Sequence, residues 1–271
     1  MKATVFLGGG RITGAIIAGL RRAHYYSTPI VVHDRHAAKL RQMQRTLGIV
    51  PEINLERAVS SAALLIVAVR PNSVFQLLTD IGHLDRPLIA ISLAAGVPLS
   101  QLRKKLPRPL QWARAMPSPL CRTGRGLTAI AFDRSVSSPS RKLVRDLFAA
   151  VGNVFELPEK QFDAFTVTYS SSHGSHALAT LSAAARKLGL DRKTALMAAT
   201  HALCDGISSF QQSNIPLDDS ILSELIAEAA TPGGIAATVM ATMDRAGYRR
   251  IVEKGLRAGI ARAKSYARER N

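Results

Sequence analysis

Cysteine and aromatic residues are scarce in this sequence. Cys121 and Cys204 are the only two cysteines among 271 residues, and aromatic residues make up 5% of the chain. The two thiols are far apart and in no metal-ligand spacing, which argues against a disulfide-stapled fold and against a cysteine-based metal site. We therefore expect a cytoplasmic protein with two reduced thiols and no bound metal.

Long apolar runs are also missing. No run approaches the ~18 residues of a membrane-spanning helix, and no basic-then-apolar leader opens the chain. The apolar fraction of 47% is nevertheless normal for globular proteins. A chain of this length suits one large or two medium domains, so we expect a sizeable core and no membrane partner.

Acidic residues are few: 19 Asp and Glu face 36 Lys and Arg, which gives a net charge of +17. Most of the excess lies in the first 160 residues. A basic face can bind nucleic acid, but no nucleic-acid module and no basic patch interleaved with aromatics is present. The favoured interpretation is a solvated basic surface that attracts anionic dinucleotides and small carboxylates.

The first fourteen residues carry the clearest motif. The apolar run Ala3–Leu7 predicts a buried strand, and a helical pattern of apolar residues starts at Ile12. Glycines between them permit a tight turn close to a pyrophosphate, which would bind to the free N–H groups of the helix start. Thr13 stands at the third position of the G-x-G-x-x-G/A fingerprint of such turns, with Gly14 beside it. The predicted cofactor contacts here are Gly8, Gly10, Arg11 and Ile12, and the alternative is an ordinary glycine turn.

The second predicted strand, 29–33, ends at Asp34, about twenty residues past the glycine turn, where an acid commonly binds the ribose. Asp34 favours NAD because it can accept a hydrogen bond from a free 2′-hydroxyl. Arg35, together with His36, Lys39 and Arg11, favours NADP because these cations can bind a 2′-phosphate. We predict NADP as the cofactor, with NAD as the alternative.

Strands and helices then alternate up to residue 157, a pattern typical of a doubly wound α/β sheet. Further strands are predicted at 62–69, 87–93, 110–115, 127–132 and 154–157, and helices at 37–47, 72–81 and 140–151. Two turns that follow strands add Val69, Arg70, Pro71 and Ala94 to the predicted cofactor contacts.

The pattern changes after Pro158, where no convincing strand remains. Apolar residues at helical spacing predict helices near 174–188, 191–213, 217–229, 233–246 and 248–268. The prediction is a Rossmann-type domain over 1–160 and an all-helical domain over 161–271.

Two motifs in the helical part could carry chemistry. In the first, Thr231 could cap a helix with Pro232 at its first position, while Gly233 and Gly234 leave backbone N–H groups open to a carboxylate. The alternative there is a plain turn between helices. The second, Tyr169–His176, interrupts the helical region with hydroxyls and imidazoles that could donate a proton. Its alternative is simple capping of the next helix, and a serine hydrolase is not favoured because no G-x-S-x-G elbow exists.

The order of motifs resembles pyrroline-5-carboxylate reductase along nearly the whole chain. Besides the glycine turn, the matching segments are Ala68–Pro71, Ile91–Val97, Arg114–Pro117, Gly124–Ala129, Asp163–Thr166 and Thr231–Gly234. The resemblance implies a helical domain that interlocks with a second chain. It also implies hydride transfer from NAD(P)H to the C=N carbon of a cyclic imine acid, with the substrate carboxylate bound at Thr231, Gly233 and Gly234.

Three departures from the family pattern surround the implied substrate site. Ser118 replaces the usual Asn after Met-Pro, and 169–174 replaces a Ser-Gly-Ser-Gly-Pro-Ala segment with only Ser171 retained. Ala236 stands two residues after the Gly-Gly pair, where the resemblance implies a threonine that donates a hydrogen bond to the ring nitrogen. An alanine side chain cannot donate that hydrogen bond. We therefore hypothesise that His173 or His176 supplies the proton, with Ser171 or Tyr169 assisting.

Three other functions are weighed against this one. β-Hydroxyacid dehydrogenases share the layout, but they need a lysine early on the first helix of the second domain, and Lys187 lies late on it. A catalytically silent NAD(P)-binding paralogue and a nucleic-acid binder are the others. We expect a reductase of a small cyclic imine carboxylate that forms a homodimer through its apolar helices, with a larger assembly left open.

Overall fold

The computed structural model describes residues 2–24, 28–212 and 219–266. It contains two compact units. The first comprises the chain up to Thr168 together with the residues from Ala258 onwards, and the second comprises Tyr169–Arg257.

The first unit is built on one sheet of eight strands. They are β1 (Ala3–Leu7), β2 (Ile30–His33), β3 (Val50–Glu52), β4 (Ala62–Val67), β5 (Leu88–Ser92), β6 (Leu110–Pro117), β7 (Gly126–Phe132) and β8 (Gly152–Glu156). Their spatial order is β3-β2-β1-β4-β5-β6-β7-β8. All neighbouring pairs are parallel except β6 and β7, which are antiparallel.

Helices cover both faces of this sheet. One face packs against α1 (Arg11–Arg22), α2 (Ala37–Leu47) and α6 (Ser138–Ala149), and the other against α3 (Leu55–Ser61), α4 (Val74–Ile81) and α5 (Leu99–Lys105). Strand residues alternate between the two cores: Phe6 belongs to the first, and Val5 and Leu7 to the second. Burial on both sides explains the nearly continuous apolar runs of the central strands.

A buried arginine attaches the next helix, α7 (Glu159–Thr168), to the sheet. Arg114 on β6 is 1% exposed and donates to the Asp163 carboxylate at 2.8 Å and to the Glu159 carboxylate at 3.4 Å. Its guanidinium lies 4.2 Å from the centroid of the Phe162 ring. These contacts place α7 in the first unit, on the N-terminal side of the division at Thr168.

The second unit is helical. It contains α8 (Ser171–Lys187), α9 (Arg192–Gln212), α10 (Asp219–Ala229), α11 (Ile235–Arg245) and the start of α12 (Tyr248–Tyr266). The end of α12 belongs to the first unit, where Ala263 packs against Gly96: a Cβ at Gly96 would lie 1.9 Å from the Ala263 carbonyl oxygen.

The predicted fold class is confirmed: a Rossmann-type sheet is followed by a helical segment. The short elements β3, α3, α5 and α7 were not predicted. The domain boundary at 160 stays a prediction, although the structure groups α7 with the sheet because of Arg114. The predicted ends of helices at 213 and 268 and the start at 217 lie outside the described residues.

One local prediction is wrong. Tyr169 and Ser170 do separate α7 from α8, but the rest of the segment does not interrupt the helical region, because α8 begins at Ser171 and includes both histidines. Ser170 is its N-cap, and the Ser170 hydroxyl accepts a hydrogen bond from the Ser172 N–H at 3.4 Å. The alternative interpretation, capping of the next helix, describes this segment.

Among the described residues, no helix combines the length and apolar character that a membrane span requires. The same residues contain no group of three or more His, Cys, Asp or Glu side chains placed to hold a metal ion.

Candidate active site

The glycine turn lies at the point where the strand order of the sheet reverses. β1 pairs with β2 on one side and with β4 on the other, so the chain leaves β1 between two diverging crossovers. Ligands of such sheets bind in the crevice outside the carboxyl ends of these strands. The Gly8 N–H donates to the His33 carbonyl at 2.8 Å, and the Ala68 N–H donates to the Leu7 carbonyl at 2.8 Å. The turn is therefore fixed to both neighbouring strands.

Gly8 makes the tight turn that the sequence predicts. Its φ is +109°, and a Cβ there would lie 2.8 Å from the Ala68 carbonyl oxygen. Only glycine combines this backbone conformation with so close an approach. A Cβ at Gly10, by contrast, would meet no neighbouring group within 4 Å, so the backbone there faces open space.

Thr13 explains how the loop keeps its shape without the third fingerprint glycine. It is fully buried in the first turn of α1, and its hydroxyl donates to the Gly8 carbonyl at 2.6 Å. Gly10 is the N-cap of α1 and has no side chain to cap the helix. The first-turn N–H groups of a helix have no helical acceptor, which makes this end of α1 suitable for an anion.

Asp34 is held inside the protein by four hydrogen bonds. Its Oδ2 accepts from the Gly9 N–H at 2.9 Å and from the Lys39 Nζ at 2.6 Å. Its Oδ1 contacts the His36 N–H at 3.1 Å and the His36 Nδ1 at 2.9 Å. Burial raises the pKa of this carboxyl, but the hydrogen bonds from Lys39, His36 and Gly9 outweigh burial and hold the pKa well below its usual range.

The other predicted cofactor contacts lie at the same edge of the sheet. Val69, Arg70 and Pro71 follow β4, and Pro71 opens a short 3₁₀ turn, Pro71–Ser73. Ala94 follows β5, and its N–H donates to the Ser92 hydroxyl at 3.3 Å. The structure thus brings the residues after β1, β2, β4 and β5 to the carboxyl edge of one parallel sheet.

Ser118, a predicted substrate contact, follows β6 and caps the 3₁₀ turn Pro119–Thr123. Its Oγ accepts a hydrogen bond from the Leu120 N–H at 3.2 Å. This turn packs tightly on α1, since a Cβ at Gly19 would lie 2.0 Å from the Cys121 carbonyl oxygen.

In the second unit, residues 231–234 form a β-turn before α11. The Gly234 N–H donates to the Thr231 carbonyl at 2.8 Å, and Gly233 has a φ of +75°. A proline followed by a glycine with positive φ is typical of a type II turn. The capping hypothesis is therefore wrong: Gly234, rather than Thr231, is the N-cap, and α11 begins at Ile235.

The predicted proton donors lie in the first two turns of α8. Ser171, His173 and His176 are exposed, and Tyr169, just before the helix, is half-buried. The Ser175 hydroxyl donates to the Ser171 carbonyl at 3.3 Å, which ties part of this turn to its own backbone. His173 and His176 are three residues apart, so both project from one side of the helix.

The sequence did not predict the hydrogen bond of Thr13 to the Gly8 carbonyl or the ion pair of Lys39 with Asp34. For Thr13, the signal is its place at the third fingerprint position, where a small side chain that can bond the loop carbonyl replaces a glycine. For Lys39, the signal is a cation one turn into the helix that follows Asp34.

Two family models match this chain. Residues 4–96 match the model described as "NADP oxidoreductase coenzyme F420-dependent", and residues 159–266 match "Pyrroline-5-carboxylate reductase dimerisation". A pyrroline-5-carboxylate reductase of Mycobacterium leprae is 27% identical, with 97% of this chain and 96% of that protein aligned. One of Synechocystis is 28% identical, with 97% of each chain aligned.

Solved structures show the same fold. The pyrroline-5-carboxylate reductase of Streptococcus pyogenes has a TM-score of 0.84 at 23% identity and covers 97% of this chain and 98% of its own. The Plasmodium falciparum pyrroline carboxylate reductase, solved with NADP bound, has a TM-score of 0.82 at 18% identity and covers 98% of each chain.

A Rossmann-type sheet with a glycine turn at its switch point, joined to a helical dimerisation domain, defines a class of two-domain dinucleotide-binding proteins. The order and extent of the matches narrow that class. Over 97% of its length this chain is similar to pyrroline-5-carboxylate reductases, and residues 159–266 match the model of their dimerisation domain.

Proposed function

We propose that this protein reduces the C=N bond of 1-pyrroline-5-carboxylate to give proline, with NADPH as the reductant. The observation that carries the proposal is the alignment of 97% of this chain with enzymes named pyrroline-5-carboxylate reductase. The alignment spans both the sheet domain and the helical domain, which together hold the proposed cofactor and substrate contacts.

The glycine turn fits a dinucleotide diphosphate. Gly8 keeps the loop close to β4, and the open space around Gly10 leaves room for an anion at the start of α1. We assign cofactor binding to Gly8, Gly10, Arg11 and Ile12, with Val69–Pro71 and Ala94 beside them. When bound, the nicotinamide would supply the hydride for the C=N carbon.

The turn before α11 is the proposed anchor for the substrate carboxylate. The Gly234 N–H is already bonded to the Thr231 carbonyl, so the donors that remain are the Thr231 hydroxyl, the Gly233 N–H and the first-turn N–H groups, including those of Ile235 and Ala236. Backbone N–H groups at a helix start favour an anion through hydrogen bonding and the helix dipole. Ser118 stays a proposed second contact for the substrate.

Reduction of the imine also requires a proton for the ring nitrogen. Ala236 has no side-chain donor, so we assign this role to His173 or His176 on α8, with Ser171 or Tyr169 assisting. In this hypothesis at least one of the variants His173→Gln and His176→Gln lowers kcat more than KM. Unchanged kcat in both variants would remove the histidines from the mechanism.

A homodimer accounts for the apolar surface of the helical unit. Leu188 and Ile235 are each 87% exposed within the single chain. Other large apolar side chains that are exposed in this unit are Leu196, Met197, Ile207 and Ile251. Because such extensive exposure is unusual for a monomer, we expect a mass of at least two chains by light scattering. A larger assembly would extend this dimer, and the cytoplasm remains the expected compartment.

The direct test is NADPH oxidation in the presence of 1-pyrroline-5-carboxylate, followed by detection of proline. A six-membered cyclic imine carboxylate serves as the comparison substrate, and NADH as the comparison cofactor. The replacement of a side-chain donor by Ala236 also favours a second candidate, a silent NAD(P)-binding paralogue. That candidate predicts tight dinucleotide binding without NADPH oxidation for any imine.

A further inference from the structure

We propose that Asp34 is a positioning residue that clamps the glycine loop rather than a ligand of the cofactor ribose, and that Lys39 sets the preference for NADPH. The inference deepens the proposed function and rests on its assignment of the dinucleotide site.

The hydrogen bonds of Asp34 leave little capacity for a ribose. An ionised carboxylate offers about four lone-pair sites. In this structure all four are directed to protein donors: the Gly9 N–H, the Lys39 ammonium, and the backbone and ring nitrogens of His36. The Asp34 side chain is also only 10% exposed. A ribose 2′-hydroxyl would have to displace one of these donors before it could bind.

The contact with Gly9 shows what the carboxylate does instead. Gly9 is buried in the middle of the turn, and a buried N–H group needs an acceptor. Asp34 supplies that acceptor from the neighbouring strand-to-helix loop. A Cβ at Gly9 would lie 3.0 Å from the Met43 sulfur, 3.4 Å from the Asp34 Oδ2 and 3.5 Å from the Lys39 Cε. The loop therefore rests directly on α2 and on the Asp34–Lys39 pair.

Lys39 then becomes the residue that distinguishes the two cofactors. It lies one turn into α2, next to the end of β2, where this fold places the 2′ position of the adenosine ribose. Its side chain is 40% exposed although its Nζ contacts Asp34 at 2.6 Å. An ammonium has three N–H donors, so Lys39 can keep its bond to Asp34 and still donate to a phosphate. The exposed side chain of Arg35 adds positive charge at the same edge.

The two roles predict different binding by variants. If Asp34 binds the ribose, Asp34→Asn weakens NADH selectively and strengthens NADPH, because a negative charge beside the 2′-phosphate is removed. If Asp34 clamps the loop, the same change replaces one acceptor oxygen by an amide NH2 group. That group points a donor at the Gly9 N–H or at the Lys39 ammonium, and a hydrogen bond is lost. NADH and NADPH then weaken together by a similar factor.

The experiment measures equilibrium binding to the full chain by titration, with no imine present. The ligands are NADPH, NADH, adenosine 2′,5′-bisphosphate and 5′-AMP, and the variants are Asp34→Asn and Lys39→Met. Lys142→Met is the matched control, because the Lys142 Nζ is also 2.6 Å from an aspartate oxygen, that of Asp146, but lies on the exposed side of α6.

We expect Lys39→Met to weaken NADPH and the bisphosphate about ten-fold, the loss of one charged hydrogen bond, and to leave NADH and 5′-AMP unchanged or slightly tighter. Lys142→Met should change nothing. An unchanged ratio of NADPH to NADH affinity in Lys39→Met would overturn the assignment of Lys39. Selective loss of NADH in Asp34→Asn would overturn the clamp. If Asp34→Asn fails to fold, Asp34→Ser replaces it in the same comparison of NADH with NADPH, and the Lys39→Met ratio still tests Lys39.

These outcomes are separate from the proposed function. If the wild-type chain prefers the bisphosphate over 5′-AMP but reduces no imine, this inference is supported and the proposed reaction is wrong. If the chain reduces the imine but wild type and Lys39→Met bind the bisphosphate and 5′-AMP with the same affinities, the proposed reaction is supported and this inference is wrong.

Discussion

The guanidinium of Arg114 on β6 donates to the Asp163 carboxylate on α7 at 2.8 Å, although the arginine is almost completely buried. Asp163 and Glu159 offset its charge, and the Phe162 ring lies against it. The sheet and α7 thus share one charged cluster, which links the end of the Rossmann-type sheet to the first helix after it.

Arg114→Met should lower the free energy of unfolding by about 3 kcal/mol, because it leaves two partly buried carboxylates without their partner. Urea denaturation measures the change. Arg257→Met is the control: Arg257 pairs with Glu253 on the surface of α12, and such pairs contribute at most about 1 kcal/mol. Equal effects of the two substitutions would show that the Arg114 cluster is not a structural link.

Two glycines of α1 should respond to alanine with opposite signs. A Cβ at Gly19 would lie 2.0 Å from the Cys121 carbonyl oxygen, so Gly19→Ala forces α1 away from the 3₁₀ turn and should cost about 1–3 kcal/mol. Gly14 has nothing within 4 Å of a Cβ, and Gly14→Ala should stabilise the helix by about 0.5–1 kcal/mol. Thermal denaturation of the two variants distinguishes them, and a gain in stability for Gly19→Ala would contradict this packing.

Alanine substitutions at Gly8 and Gly10 should affect stability and cofactor binding differently. Gly8→Ala places a side chain at a φ of +109° and against the Ala68 carbonyl, so it should cost about 1–3 kcal/mol and also weaken NADPH. Gly10→Ala meets no neighbour in the protein and should leave the melting temperature within a degree or two. It nevertheless fills the space assigned to the diphosphate, so NADPH binding should fall at least ten-fold. Retained NADPH binding in Gly10→Ala would place the diphosphate elsewhere.

Acid should remove the stabilisation that Asp34 provides. The pKa of Asp34 is lowered in the folded protein: burial acts in the opposite direction, and the hydrogen bonds from Lys39, His36 and Gly9 exceed it. Such a group stabilises the fold at pH values above the unfolded pKa of about 4. This stabilisation is lost as the pH falls below that value toward the folded pKa. The difference in unfolding free energy between wild type and Asp34→Asn should therefore be constant from pH 6 to 8 and shrink below about pH 4. A difference that grows as the pH falls would show that folding raises the pKa of Asp34 instead of lowering it.

The sheet could be predicted from sequence because its central strands are buried on both faces. Apolar runs such as Ala3–Leu7 fix these strands with little ambiguity, and Gly48, with a φ of +62°, ends α2 where the sequence indicates. The edge strand β3 has only three residues, one of them a proline, and carries no such signal. α7 was missed because its contact with the sheet depends on a buried arginine that pairs with residues 45 and 49 positions away.

The candidate site was predictable in its residue types and less so in its contacts. The sequence correctly brings the turns after β1, β4 and β5 to one edge of the sheet, because strand order and direction follow from the alternation of elements. It could not predict that Lys39, His36 and Gly9 occupy the oxygens of Asp34. It also misplaced the helix start at 231–234, because Pro-Gly fits both a helix N-terminus and a type II turn.

The proposed reaction is the delivery of a hydride from NADPH to the C=N carbon of 1-pyrroline-5-carboxylate. The most direct test supplies NADPH that carries deuterium at both C4 positions of the nicotinamide and analyses the product by mass spectrometry. The expected product is proline with one deuterium at C5, formed in equal amount to the NADPH consumed. Proline without deuterium, or NADPH that binds tightly and is not consumed in the presence of the imine, would contradict it.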